Sequence, residues 1–110
     1  MAVVFELIFE QKEKYSLVLS EDELVYTPDN KVLYKELYCT FKDAKTRLKS
    51  IIAGMGLDIH TFKGIVKDNF ISVDNLNKDA WYDLRNKLNK NGEDAYYKYY
   101  TAFITERPLL

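Results

Sequence analysis

The sequence predicts an α+β domain: an antiparallel β-meander followed by a helix, a β-hairpin and two C-terminal helices, with the helices packed on one side of the sheet. Three observations predict it. Apolar residues recur with a period of two through the first third of the chain, the spacing then switches to that of helices, and only two prolines and four glycines punctuate the whole. Residues 1–110 therefore read as one compact domain, long enough to bury a core without disulfides or metals.

Val3, Phe5, Leu7 and Phe9 alternate with Val4, Glu6, Ile8 and Glu10, which gives a strand with one fully apolar face. Tyr15, Leu17 and Leu19 repeat the pattern after a polar turn expected at 11–14, and a second turn at 20–23 precedes Leu24, Val25 and Tyr26. Pro28, Asp29 and Asn30 supply the turn chemistry for a third reversal, because proline presets φ and Asp or Asn tolerates the tight geometry that follows. Residues 31–39 are the expected fourth strand.

Thr40 followed by Asp43 marks a helix start. Phe41, Ala44, Leu48, Ile51, Ile52 and Met55 then fall within about 100° of arc, and Gly54 and Gly56 end the segment. Residues 59–66 and 70–73 read as a hairpin around Lys67, Asp68 and Asn69. A second helix starts near Leu76, gathers Leu76, Ala80, Trp81, Leu84 and Leu88 on one face, and stops at Asn91 and Gly92.

The final element rests on AYYKYYTAFI, residues 95–104. At helical spacing Tyr96, Tyr97, Tyr99, Tyr100, Phe103 and Ile104 share an arc of roughly 160° opposite Asp94, Lys98, Thr101 and Thr105. That arc predicts a third helix with Tyr96, Tyr100 and Phe103 on the sheet and Tyr97 and Tyr99 presented at its flanks. A homodimer is a further use of such an aromatic face.

Catalysis and metal chemistry find little support in the pattern. His60 stands alone, and Asp58 would orient it only if both lay on one strand, with no nucleophile in an activating context. One cysteine and one histidine cannot make a zinc site. Asn75, Asn77 and Asp79 imitate a calcium loop, but Ala80 stands where glycine is needed and Asn86 where a bidentate glutamate is needed, so helix capping is the expectation. Gly54 and Gly56 end a helix, whereas a phosphate loop needs glycines that begin one. The expectation is a protein without enzymatic activity, cofactor or metal.

Cys39 cannot pair within the chain, which fits a reducing compartment or indifference to redox state, and it reads as a small buried hydrophobe. The first ten residues carry Glu6 and Glu10 and lack the basic start of a signal peptide. No run reaches the roughly 20 apolar residues of a membrane span. A cytoplasmic protein without membrane partners is expected.

A net charge of −1 conceals a partition: residues 1–36 hold eight acids and four bases, and residues 37–92 hold six acids and ten bases. Lys42, Lys45 and Lys49 project together beside the apolar stripe of the first helix, a pattern that tracks a phosphate backbone when aromatics stand near. Tyr82, one turn before Arg85 on the polar side of the second helix, has the composition enriched at protein interfaces. Size, surplus tyrosines and segregated charge point to a protein partner held by Tyr82, Arg85, Tyr97 and Tyr99, as in a regulator, inhibitor or immunity protein of a mobile element. Nucleic acid held by Lys42, Lys45 and Lys49 is the second reading.

Overall fold

The computed structural model describes residues 2–16 and 31–109 and the backbone of 25–26. It shows a small α+β fold. Six strands, β1 (Val3–Ser16), β2 (Val25–Tyr26), β3 (Lys31–Tyr38), β4 (Lys63–Lys67), β5 (Phe70–Asp74) and β6 (Ala95–Pro108), form one antiparallel sheet. The order across it is β2-β1-β6-β5-β4, with β3 also pairing β1. Two helices, α1 (Phe41–Gly54) and α2 (Lys78–Lys90), and a 3₁₀ turn at Ile59–Thr61 complete the described chain.

The third helix expected over residues 95–104 is instead β6, the middle strand of the sheet. Its partner β1 matches it residue for residue from Val3 opposite Pro108 to Ser16 opposite Ala95. The aromatic arc misled because β6 is covered in part on each face. Ala95 and Thr101 are buried on one side and Ala102 and Ile104 on the other, so apolar residues occupy both parities and the period of two is lost. The strand preference of tyrosine prevails. The turn expected at 11–14 is also absent, since β1 runs unbroken through it and every residue of that stretch pairs with β6. The strand and turn expectations at 17–24 and 27–30 fall mostly or wholly outside the described residues.

Register assigns the two faces. On the first, Leu7 stands beside Ile104 and Ile71, and Phe9 beside Ala102 and Val73. Ala44, Leu48, Ile51 and Ile52 of α1 bury against these residues, with Phe5, Tyr34, Phe62 and Tyr100 at the margin, to make the main core. Phe41 meets Phe5 at 5.8 Å, and Phe9 stacks on Tyr100 at 5.6 Å. Thr40 caps α1 by accepting from the Asp43 N–H at 3.1 Å, as its spacing predicts.

The other helix lies on the opposite face. Trp81 contacts Tyr97 at 6.1 Å, Asn89 Nδ2 donates to Ser16 Oγ at 2.9 Å, and Tyr97 and Ser16 both have the parity opposite to Tyr100 and Phe9. The helices therefore are not packed on one side of the sheet as expected. Fourteen-residue strands, about 46 Å long at roughly 3.3 Å per residue, outrun either helix, so α1 covers one end of one face and α2 the other end of the other. The molecule is correspondingly long, 56 × 27 × 21 Å.

Asn77 caps α2 by accepting from the Ala80 N–H at 3.0 Å, and Gly92 at φ 77° takes the left-handed turn that ends it. Cys39, expected to be buried, is exposed between β3 and α1. Among the described residues no helix is long and apolar enough to cross a membrane.

Candidate interaction site

Two helices on a sheet this long leave part of each face without a helix. On the face that carries α2, the strands beyond Thr101 run out from under the helix. That open region presents Phe103 of β6 and Ile8 and Val4 of β1, all half-buried, and Phe70 of β5, also half-buried. Beside them Leu37 is 63% exposed, Val32 52% and Ile65 51%. Register places these side chains together, with Ile8 between Lys35 and Phe103, Ser72 next to Phe103, and Ile65 next to Ser72. Phe103 and Ile8 thus form an apolar centre, with the exposed aliphatics at the two edges of the sheet, Leu37 and Val32 on β3 and Ile65 on β4, and polar side chains between.

Charge on this surface is nearly balanced. Lys35, Lys63, Lys67 and Arg107 share the face with Glu6, Glu10 and Asp74, and the Arg107 guanidinium donates to Glu6 at 3.0 Å. An apolar centre with a neutral polar rim has the anatomy of a protein interface and lacks the dense cation array of a phosphate-tracking one.

The residues singled out from sequence fall elsewhere. Tyr82 is 49% exposed on the outside of α2, and the Arg85 guanidinium lies 5.2 Å from its ring centroid. Tyr97 and Tyr99 do not flank a helix. They lie half-buried on the sheet at the α2 end, 6.4 Å apart, with Trp81 against Tyr97 and the Asn77 N–H donating to the Tyr97 hydroxyl at 3.4 Å. Burial and the nearby Asp74 carboxylate push the Tyr99 phenol pKa up. The structure thus separates the two pairs: Tyr82 and Arg85 face outward, while Tyr97 and Tyr99 belong to the packing beneath α2.

Lys42 and Lys49 are exposed on α1 and Lys45 is half-buried. Lys45 and Lys49 stand at the rim of an apolar cleft of about 120 Å³ between α1 and the β4–β5 hairpin. Their surroundings are aliphatic side chains and Phe62.

His60 and Asp58 meet in a way sequence reasoning missed. Asp58 caps the 3₁₀ turn by accepting from the His60 backbone N–H at 2.9 Å, so its carboxylate holds the main chain and not the imidazole. Both line an open, polar groove of about 930 Å³ that also includes Lys63, Asn77, Lys78 and Tyr97. Among the described residues no cluster of three His, Cys, Asp or Glu side chains has the arrangement to hold a metal ion.

At the far end of the α1 face, where that helix does not reach, Tyr96 donates to Glu13 at 2.6 Å and packs against Tyr15 with ring centroids 4.7 Å apart and planes tilted by 44°. The bond to a carboxylate raises the Tyr96 phenol to about 12 and lowers Glu13, whose oxygens also accept from Gln11 and Tyr15. This face is polar and aromatic, in contrast to the apolar open region on the reverse.

Sequence inspection missed Val32, Leu37, Ile65 and Phe103. A signal was present. β1 is apolar at Val4 and Ile8 as well as at Phe5, Leu7 and Phe9, which calls for two covered faces where only one had been assigned. Compared with protein-family models, curated proteins and solved structures, the chain matches none.

Proposed function

We propose that this protein is a non-enzymatic binding module that docks another protein on the open apolar sheet face around Leu37, Ile65 and Phe103. One observation supports this above the others: three large aliphatic side chains are more than half exposed on one face, Leu37 and Val32 on β3 and Ile65 on β4, with half-buried Phe103, Ile8 and Phe70 on the strands between them. Burying such a surface removes apolar area from water at about 25 cal/mol per Å², and a hydrogen-bonded sheet makes a preformed platform that needs little ordering on association. The balanced rim, with Glu6 already paired to Arg107, favours a protein over a polyanion, because a phosphate backbone gains little from a neutral surface. Action by occupancy, as in a regulator or an inhibitor, follows from a domain that binds without chemistry of its own.

Tyr82 and Arg85 extend the surface outward from α2 as a second, smaller contact. The test is differential capture from nuclease-treated host lysate by the native protein and by Leu37→Glu with Ile65→Glu. A stoichiometric protein captured by the native chain and lost with the double variant supports the reading. Equal capture by both, or a captured species that disappears on nuclease treatment, refutes it.

A further inference from the structure

We propose that β4 and the cleft beside it accept an extended acidic segment of a partner protein as an added strand, with one apolar side chain of that segment seated in the cleft. The cleft opens on the α1 side, away from the open face described above, whereas the added strand also runs beside Ile65 at the border of that face, so Val66→Glu reads the cleft and Leu37→Glu reads the open face.

Among the described residues β4 pairs only with β5, which leaves its outer row of N–H and C=O groups as a template for another strand. All five of its residues are exposed. Register turns Gly64 and Val66 toward α1, beside Val73 and Ile71, and Val66 is 60% exposed there. Between this edge and α1 runs the apolar cleft, floored by Ile71 and walled by Leu48, Ile52, Ile59, Phe62 and Val66. Its volume of about 120 Å³ is close to the roughly 150 Å³ cavity that takes a benzene ring, so it suits one leucine, isoleucine or phenylalanine side chain. An edge strand beside a helix-walled apolar slot is the arrangement in which main-chain bonds supply affinity and alternate side chains supply specificity.

Charge selects the occupant. Lys63 and Lys67 stand at the two ends of β4 on the face away from the cleft, with Asp74 opposite Lys63 and Asp68 in the turn that follows, while Lys45 and Lys49 stand at the cleft rim with Asp58 nearby. These lysines oppose a second copy of this edge, whose own lysines would face them; Lys63 and Lys67 welcome carboxylates at the positions that flank the anchor, which turn to their face, and Lys45 and Lys49 add positive charge beside the anchor itself. The fitting segment therefore alternates acidic and large aliphatic residues.

The probe is a blocked, fluorescein-labelled octapeptide of alternating aspartate and leucine, titrated by anisotropy and mapped by amide chemical shifts on the full chain. We expect shifts confined to β4, Lys45, Lys49, Ile52 and Ile59, and at least about tenfold weaker binding when lysine replaces aspartate in the probe, a factor worth 1.4 kcal/mol. Lys63→Glu with Lys67→Glu, two exposed changes that leave the core intact, should weaken binding by at least the same factor, as should Val66→Glu. Methylating the probe's backbone nitrogens on alternate residues separates strand addition from simple charge attraction. One methylated set abolishes binding and the other leaves it intact. No binding at millimolar probe, equal binding of acidic and basic probes, shifts centred elsewhere, or indifference to both methylated sets would each overturn the proposal.

Discussion

Replacing Trp81 with alanine tests whether α2 is seated on β6 through this side chain. The side chain is 3% exposed and packs on Tyr97 of β6. A buried tryptophan removes between about 150 and 250 Å² from water, about 4 to 6 kcal/mol at 25 cal/mol per Å². Residual burial in the unfolded chain trims this, which brings it to the roughly 3 to 5 kcal/mol seen when large aromatics are cut to alanine. A domain of this length has a total stability of roughly 5 to 16 kcal/mol at 0.05–0.15 kcal/mol per residue, so the loss is a large fraction of the whole. The neighbouring Tyr82→Ala loses only exposed surface and the Arg85 contact at 5.2 Å, about 0.5 to 1 kcal/mol. Urea unfolding followed by circular dichroism measures both. We expect a cost at least about three times larger for Trp81→Ala, together with blue-shifted, quencher-resistant fluorescence of this single tryptophan in the native protein. A cost below about 1 kcal/mol for Trp81→Ala, or equal costs for the two, would refute the placement of α2.

Three further outcomes are expected. Tyrosinate absorbance on raising pH should show one phenol titrating near 12, Tyr96, and Glu13→Gln should return it toward 10; because its folded value lies above the unfolded one, the stability it contributes is whole below pH 10 and fades as pH rises through 12. Glu36, which accepts from Arg47 at 2.9 Å, titrates below its usual 4.5 mainly through that bond, so its contribution is present above pH 4.5 and is lost as pH falls through the depressed value; Glu36→Gln should flatten this part of the acid limb of the stability curve. Gly64→Ala should destabilise by more than about 1 kcal/mol in urea, because φ is 150° and an added methyl would collide with the Ser72 carbonyl and crowd the Val73 Cα.

The parts of this fold legible in the sequence are those governed by a single covered face. α1 has one apolar stripe, a threonine cap and terminal glycines, and its buried residues are the ones its spacing indicates. β5, with Ile71 and Val73 on one face, and α2 were readable for the same reason, whereas the strand expected over 59–66 begins only at Lys63 because Asp58 caps a 3₁₀ turn at Ile59–Thr61. β6 was not, because a strand covered by different helices on its two sides carries apolar residues at both parities and imitates a wide helical arc. That inversion also moved the site. Tyr97 and Tyr99 looked like the flanks of a helix and turn out to pack under Trp81, while Tyr82 stayed exposed beside Arg85. Leu37, Ile65 and Phe103 come together only through the long-range pairing of β3, β1, β6, β5 and β4, which no local spacing reveals.

The lysines illustrate a gentler correction. Lys45 and Lys49 do share a helix face, as their spacing implies, but the face borders an apolar cleft and an open strand edge. Cations there tune which extended segment can approach.

Photo-crosslinking in host cells tests the docking face most directly. A benzophenone-bearing residue placed at position 37, in the open apolar surface, should give one adduct with another protein at a single mass, whereas the same residue at position 42, on the outer side of α1, should give none. No adduct from position 37, an adduct at the mass of two copies of this chain, or equal yields from both positions would contradict a protein partner on that face.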